Sequence, residues 1–479
     1  MVARFANLIG GEWREDGPWE VNRNPSDVDD VIGEFAIADE RTAEDAVTAA
    51  HTASAAWRVC GVQPRFDILD RVGAELFERR AEFGGILSRE EGKTLPEGIG
   101  EVVRAAHIFK FFAGEVLRAG GETLPSVRPG ITVDITREPV GVVALITPWN
   151  FPIAIPAWKA AAALAHGNTV ILKPASPTPA SAWVLADVLQ RAGLPAGVFN
   201  LVNGGAEVGE VLSRSRMVDA LSFTGSVATG ARVLAATIPT QKKVQLEMGG
   251  KNPLLVLSDA DLDVAAEVAL QGAFGSTGQR CTASSRIIVD ERVHDRFVSK
   301  LVERLRTFKV GHAMHDQTKM GPIVTQGQRE CVMTHIEEAR RQGARVAFGG
   351  EIPKMPHEGY YLTPTLLADT EASQSINRDE VFGPVASVIR VKNYEEGLAV
   401  ANDTEFGLCA GVVTRSLKFA QDFKKKARVG MVMVNLPTAG VDYHVPFGGT
   451  RASSYGSREQ GTYAREFYTT VKTAYTLPV

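Results

Sequence analysis

Cys281 sits in the run GSTGQRCTASSR, just after a glycine-containing turn. A thiol carried on such a turn is open to an incoming carbonyl carbon, and its thiolate is a strong nucleophile. Arg280 beside it predicts a thiol pKa below the usual ~8.5. Glu247, in QLEMGGKNP, precedes a glycine pair that permits a tight turn. That places a carboxyl at a strand end, where α/β proteins hold their sites and where it can take a proton from water. Asn150, in TPWNFP, ends another strand, and its side-chain amide can donate to a developing oxyanion. Each residue alone has a plainer reading: a small buried side chain for Cys281, a turn residue for Glu247, an Asx turn before Pro152 for Asn150.

Two further segments offer binding rather than bond chemistry. FTGSVATG holds Gly225 and Gly230 between a strand and a helix. This is GxxxxG, neither the GxGxxG dinucleotide pattern nor a P-loop, because Ala231 and Arg232 follow. Its place still offers helix N-terminal amides to a pyrophosphate. KPASPTP, from Lys173 to Pro179, closes a strand without the carboxylate that holds a ribose 2′-OH, so Lys173 and Ser176 predict tolerance of a 2′-phosphate. The nine histidines show no HExxH spacing, His312 and His315 read as a loop pair, and no metal is expected.

The elements needed to position these groups are legible as a pattern. Thr42 with Asp45 reads as a capping box ahead of an alanine-rich helix reaching Trp57, and longer helical stretches follow near 64–92 and 98–118. Segment 123–140 carries Pro125, Pro129 and Pro139 around a strand-like ITVDIT and reads as a hairpin arm. From 141 onward, apolar strands such as GVVALI and TVILK alternate with helices, and a second alternation begins near 250 with NPLLVL and RIIVD. Such alternation predicts parallel sheets wrapped by helices, hence an α/β fold. The tail 464–479 reads as a strand that completes another subunit's sheet or forms an edge in its own.

Composition narrows the function classes. The 479 residues carry 52 basic and 56 acidic side chains, a net charge of −4, with no basic stripe for nucleic acid. Lys424, Lys425 and Lys426 read as a solvated helix face. No apolar run reaches the roughly 18 residues of a membrane helix, and the N-terminus lacks the apolar core of a signal peptide. Four scattered cysteines fit a reducing compartment, and the expected location is cytoplasmic.

The order Asn150, Lys173, Gly225, Glu247, Cys281 and then EVFGPV at 380–385 resembles the aldehyde dehydrogenase superfamily over essentially the whole chain, from GGEW to PFGG. The resemblance implies a Rossmann-like dinucleotide-binding domain over 1–122 and 141–247, a catalytic domain over 248–446, and an oligomerisation arm from 123–140 and 460–479. It implies Cys281 as nucleophile, Glu247 as general base, Asn150 with the Cys281 peptide N–H as oxyanion hole, and Lys159 near cofactor and active site. The implied dinucleotide contacts are Ile146, Thr147, Pro148, Trp149, Lys173, Ser176, Gly205, Gly209, Phe223, Thr224, Gly225, Ser226, Gly249, Glu380 and Phe382. NAD-preferring members commonly carry glutamate where this chain has Ser176, so NADP is expected in preference to NAD. The implied assembly is a homodimer or homotetramer.

Within that superfamily, segment 439–475 and GQRCTA resemble the bacterial branch that oxidises α-ketoglutarate semialdehyde. An anionic substrate needs donors, and the candidates are Arg280, Arg104 and His107, with Phe151 and Trp158 as apolar walls. Succinate or glutarate semialdehyde, or a broad aldehyde range, are the alternatives. An acyl-CoA-forming enzyme needs no water-activating base, so Glu247 argues against it. A non-catalytic homologue has no reason to keep all of these residues.

Overall fold

The computed structural model describes residues 2–478, so Met1 and Val479, the ends of the expected domain ranges, lie outside it. Strands Val142–Ile146, Thr169–Lys173, Phe199–Leu201 and Ala220–Thr224 are mostly apolar and buried on both faces, and Lys243–Glu247 is buried over its last three residues. A strand with no solvated face is stable only under two helical layers, which favours parallel pairing. Accordingly these five strands pair in parallel at the centre of an eight-stranded sheet. Antiparallel strands from the chain's start, Asn7–Ile9 and Glu12–Arg14, close one edge, and Ser454–Tyr455 closes the other.

A second, seven-stranded sheet holds Pro253–Val256, Arg286–Asp290, Thr365–Thr370, Val385–Val391, Cys409–Val413 and Met431–Val434 in parallel, with Arg345–Phe348 antiparallel at one edge. Glu122–Pro125 and Thr132–Pro139 form a hairpin, and the C-terminal strand Thr469–Thr476 pairs antiparallel with the second of these. The tail therefore joins its own chain's arm, and it forms an edge of this three-stranded sheet.

Local signals set the helix ends. The first helix, Glu40–Arg58, is capped by Asp39, which accepts from the Thr42 N–H at 2.7 Å and from the Thr42 hydroxyl. The cap is thus three residues earlier than the Thr42 pattern predicts, because an aspartate in extended backbone is the better acceptor for free first-turn amides. The 64–92 stretch is two helices, Val62–Glu78 and Arg80–Glu91, and the next is Leu95–Val116 with Thr94 and Glu97 as its capping box. Helix Ala154–Ala165 is buried throughout, since alanine lets its backbone lie close to the first sheet.

Candidate active site

Asn150 and Cys281 line one cavity at the ends of the parallel strands of the first sheet, and Glu247, at the end of its own strand, acts electrostatically on the Cys281 thiol without lining that cavity. Cys281 follows Gly275–Gly278, in which Ser276, Thr277 and Gly278 all take positive φ (48°, 58° and 66°). At Gly278 a Cβ would stand 2.2 Å from the Gly383 carbonyl oxygen, so only glycine fits. Asn252 fixes the other side of this turn: its Nδ2 donates to the carbonyls of Cys281 (2.8 Å) and Ala283 (3.0 Å), and its Oδ1 accepts from the Cys409 N–H. Asn150 Nδ2 donates to the Gln279 carbonyl at 2.9 Å, which ties its amide to the segment bearing the thiol. Beneath it, the buried Lys93 ammonium donates to the Asn150 carbonyl and to Glu101 Oε2, both at 2.7 Å. Glu101 Oε1 in turn accepts from the N–H groups of Ile153 and Ala154 at the start of the next helix.

Glu247 is buried, and its Oε2 accepts from the Ser454 hydroxyl at 2.6 Å. Its Oε1 has no hydrogen-bond partner among the described residues. Burial first, then the Glu459 carboxylate, pushes Glu247 well above the ordinary carboxylate range. Lys159 donates to Ser222 Oγ at 2.6 Å and pairs with Glu459. The Cys281 thiol is likewise pushed up, by burial and then by the carboxyls of Glu380 and Glu247. This reverses the depressed pKa expected from Arg280. That guanidinium donates to Glu97 (3.1 Å) and Ser276 Oγ (2.7 Å), and its charge is spent on holding the turn. The thiol thus needs a base to become a thiolate, and the nearby high-pKa carboxyl is chemically able to serve.

Pro148, Trp149, Asn150, Thr224, Gly225, Ser226, Gly249, Cys281, Glu380 and Phe382 line one cavity of about 270 Å³. Glu380 Oε1 accepts from the Gly250 N–H at 2.9 Å, and a Cβ on Gly249 would lie 1.9 Å from Glu380 Oε2. Phe382 meets Trp149 edge-on at 5.3 Å. Ile146, Lys173, Gly205, Gly209 and Phe223 line a second cleft of about 460 Å³ with Val233 and Arg232. Gly205 has nothing within 4 Å of where a Cβ would stand, so the cleft floor is open backbone. Between the two, helix Val227–Thr237 begins with Ser226 as cap, its early amides facing no earlier turn. A flat base, a pyrophosphate and a second ring fit this sequence of apolar slot, helix N-terminus and thiol-bearing cavity.

The remaining residues fall elsewhere. Thr147 is buried and donates its N–H to the Lys173 carbonyl rather than facing either cavity. The Lys173 ammonium donates to the carbonyls of Gly204 (2.6 Å) and Pro174 (3.0 Å), and burial lowers it to about 8. Ser176 is exposed in a small hollow that Glu20 also lines. Arg104 bonds to the Val441 carbonyl and to Gln460 Oε1 (3.0 Å), with its guanidinium 5.9 Å from the Trp158 ring centroid. Trp158 also packs on Phe447, and Phe151 receives the Lys93 ammonium on its face. His107 lies between Phe77 and Tyr443. Sequence reasoning missed Lys93, Glu101, Asn252, Ser454 and Glu459, and also two residues that line the thiol-bearing cavity. These are Gln328, which donates to the carbonyls of Val381 and Phe382, and the exposed Cys331. None of these carries a local motif; only contacts from distant segments identify them.

Residues 13–474 match the model of the aldehyde dehydrogenase family. The chain is 40% identical to alpha-ketoglutaric semialdehyde dehydrogenase of Bacillus subtilis, over 99% of this chain and 98% of the other. It is 42% identical to alpha-ketoglutarate semialdehyde dehydrogenase of Haloferax volcanii, over 99% of each. Betaine aldehyde dehydrogenase from Staphylococcus aureus, solved in complex with NAD+, superposes with a TM-score of 0.95 at 32% identity, over 98% of this chain and 95% of the other.

Proposed function

The chain belongs to the aldehyde dehydrogenase family, and from that premise we propose that its substrate is a short semialdehyde bearing a carboxylate, α-ketoglutarate semialdehyde first. The chain is an NAD(P)-dependent enzyme that oxidises an aldehyde to a carboxylic acid. The observation that carries the substrate reading is Arg104: a half-buried guanidinium beside Trp158 and Gln460, on the helix that leads to the oxyanion residues through Glu101. Two full-length relatives named for this semialdehyde support it. Arg280 is the weaker candidate for the carboxylate, because its guanidinium is paired with a carboxylate, Glu97, whereas Arg104 is held only by neutral acceptors.

In the proposed sequence, Glu247 or a water it polarises takes the Cys281 proton, and the thiolate adds to the carbonyl carbon. The new oxyanion is met by the second Nδ2 hydrogen of Asn150, whose first is held by the Gln279 carbonyl, and by the Cys281 peptide N–H, and fixed donors of this kind stabilise developing charge with little reorganisation. The bound nicotinamide supplies the hydride acceptor. The tetrahedral adduct becomes the Cys281 thioester as its hydride leaves to that acceptor, and Glu247, once it has passed the thiol proton to solvent, deprotonates a water that hydrolyses the thioester, releasing the acid and returning a proton to the Cys281 thiolate. Glu380 and Phe382 would hold the nicotinamide end, and Ile146, Phe223 and Val233 the adenine end.

For the cofactor, dual use of NADP and NAD fits better than a strong NADP preference. Ser176 presents no carboxylate to a 2′-phosphate, but Glu20 lines the same hollow and the Lys173 ammonium is already engaged. A homodimer or homotetramer built through the arm is also proposed, on the exposed face of strand Thr469–Thr476. Arg104→Met should raise KM for the carboxylated semialdehyde at least about tenfold, the loss of roughly 1.4 kcal/mol, and leave KM for a neutral aldehyde of equal length unchanged. Equal effects on both, or a better kcat/KM with betaine aldehyde or benzaldehyde than with every semialdehyde, would refute the reading.

A further inference from the structure

A further cavity, of about 430 Å³, lies at the other end of the parallel strands from Cys281. Pro139 and His166, which line it, immediately precede strands Val142–Ile146 and Thr169–Lys173, whose far ends carry the catalytic segments. Its walls bring together Arg58 and Arg65 from two helices, Arg137 from the arm, and Arg465 before the C-terminal strand. Two carboxylates answer them. Glu138 is shared between Arg58 and Lys472, and Glu466 between Arg137 (2.8 Å) and Arg465 (3.5 Å). Arg65 has neither: its Nη1 donates to the Ala165 carbonyl at 3.0 Å, and its buried Nε has no partner among the described residues.

Guanidinium groups gathered in a concave site and outnumbering their carboxylates repel one another, and a buried N–H without an acceptor is destabilising. An oxyanion corrects both faults, since each guanidinium fork can place two parallel N–H bonds on adjacent oxygens. The neighbouring imidazole agrees in sign: burial first, and then Arg65, Arg137 and Arg465, push His166 down to about 4. We propose that this cavity is a binding site for a compact dianion of the phosphate class, held by Arg58, Arg65, Arg137 and Arg465. Because those arginines come from the body and from the arm, the bound anion ties the arm to the body.

The test is titration of the full-length protein with inorganic phosphate by calorimetry and thermal unfolding. Saturating NAD is present to block phosphate positions in the cofactor clefts, and sodium chloride at matched ionic strength is the control. Expected are a saturable isotherm and a rise in Tm that chloride does not reproduce. Arg65→Gln and Arg465→Gln should each weaken binding at least about tenfold, while kcat with a neutral aldehyde stays at the wild-type value. If Arg65→Gln fails to fold, Arg58→Gln carries the same expectation. No saturable isotherm, or unchanged affinity in either folded variant, would overturn the proposal.

Discussion

Removing the Ser454 hydroxyl tests whether Glu247 is the catalytic base. Ser454 Oγ donates to Glu247 Oε2 at 2.6 Å, a bond that favours the ionised carboxylate against the burial and the Glu459 charge that disfavour it. A hydrogen bond to a charged group is worth about 1.5–3 kcal/mol. At about 1.36 kcal/mol per pKa unit, its loss in Ser454→Ala should raise Glu247 by roughly one to two units. The base acts as carboxylate, so activity is present above its pKa and lost as pH falls through it. The acid limb of the kcat–pH profile, measured where deacylation limits turnover, should therefore move to higher pH by that amount. Ser454 Oγ also accepts from the Gly449 N–H at 2.7 Å, so the alanine variant loses some stability as well. Ser454→Thr keeps the hydroxyl and should restore the limb. A limb that stays put or moves to lower pH in Ser454→Ala would refute Glu247 as the titrating base.

Two further outcomes follow from the site. Asn150→Ala removes the proposed oxyanion donor and should lower kcat by about 10²–10³ with little change in KM; an unchanged kcat in steady-state kinetics would refute that role. Arg280→Ala frees the turn that Glu97 and Ser276 anchor, so kcat should fall equally for anionic and neutral aldehydes. A selective rise in KM for the anionic one would return Arg280 to the substrate pocket.

The sequence by itself determined the fold class and the identity of the chemical groups. Unbroken apolar runs such as VVALI and TVILK can be satisfied only inside a helix-covered sheet, and the glycines of GSTG and MGG permit the turns that present Cys281 and Glu247. Strands such as TVILK, Thr169–Lys173, could be read locally because burial pattern and backbone preference are local. The directions of long polar side chains could not. Arg280 adjoins Cys281 in sequence, yet its carboxylate partner is Glu97, 183 positions away; Glu247 is held by Ser454, 207 away; Lys159 meets Glu459, 300 away. Lys173 stands at a strand end as expected, but the Gly204 carbonyl takes its ammonium. A charged group on several rotatable bonds goes to whichever acceptor the packed chain leaves within reach, and that choice exists only once the distant segments have met.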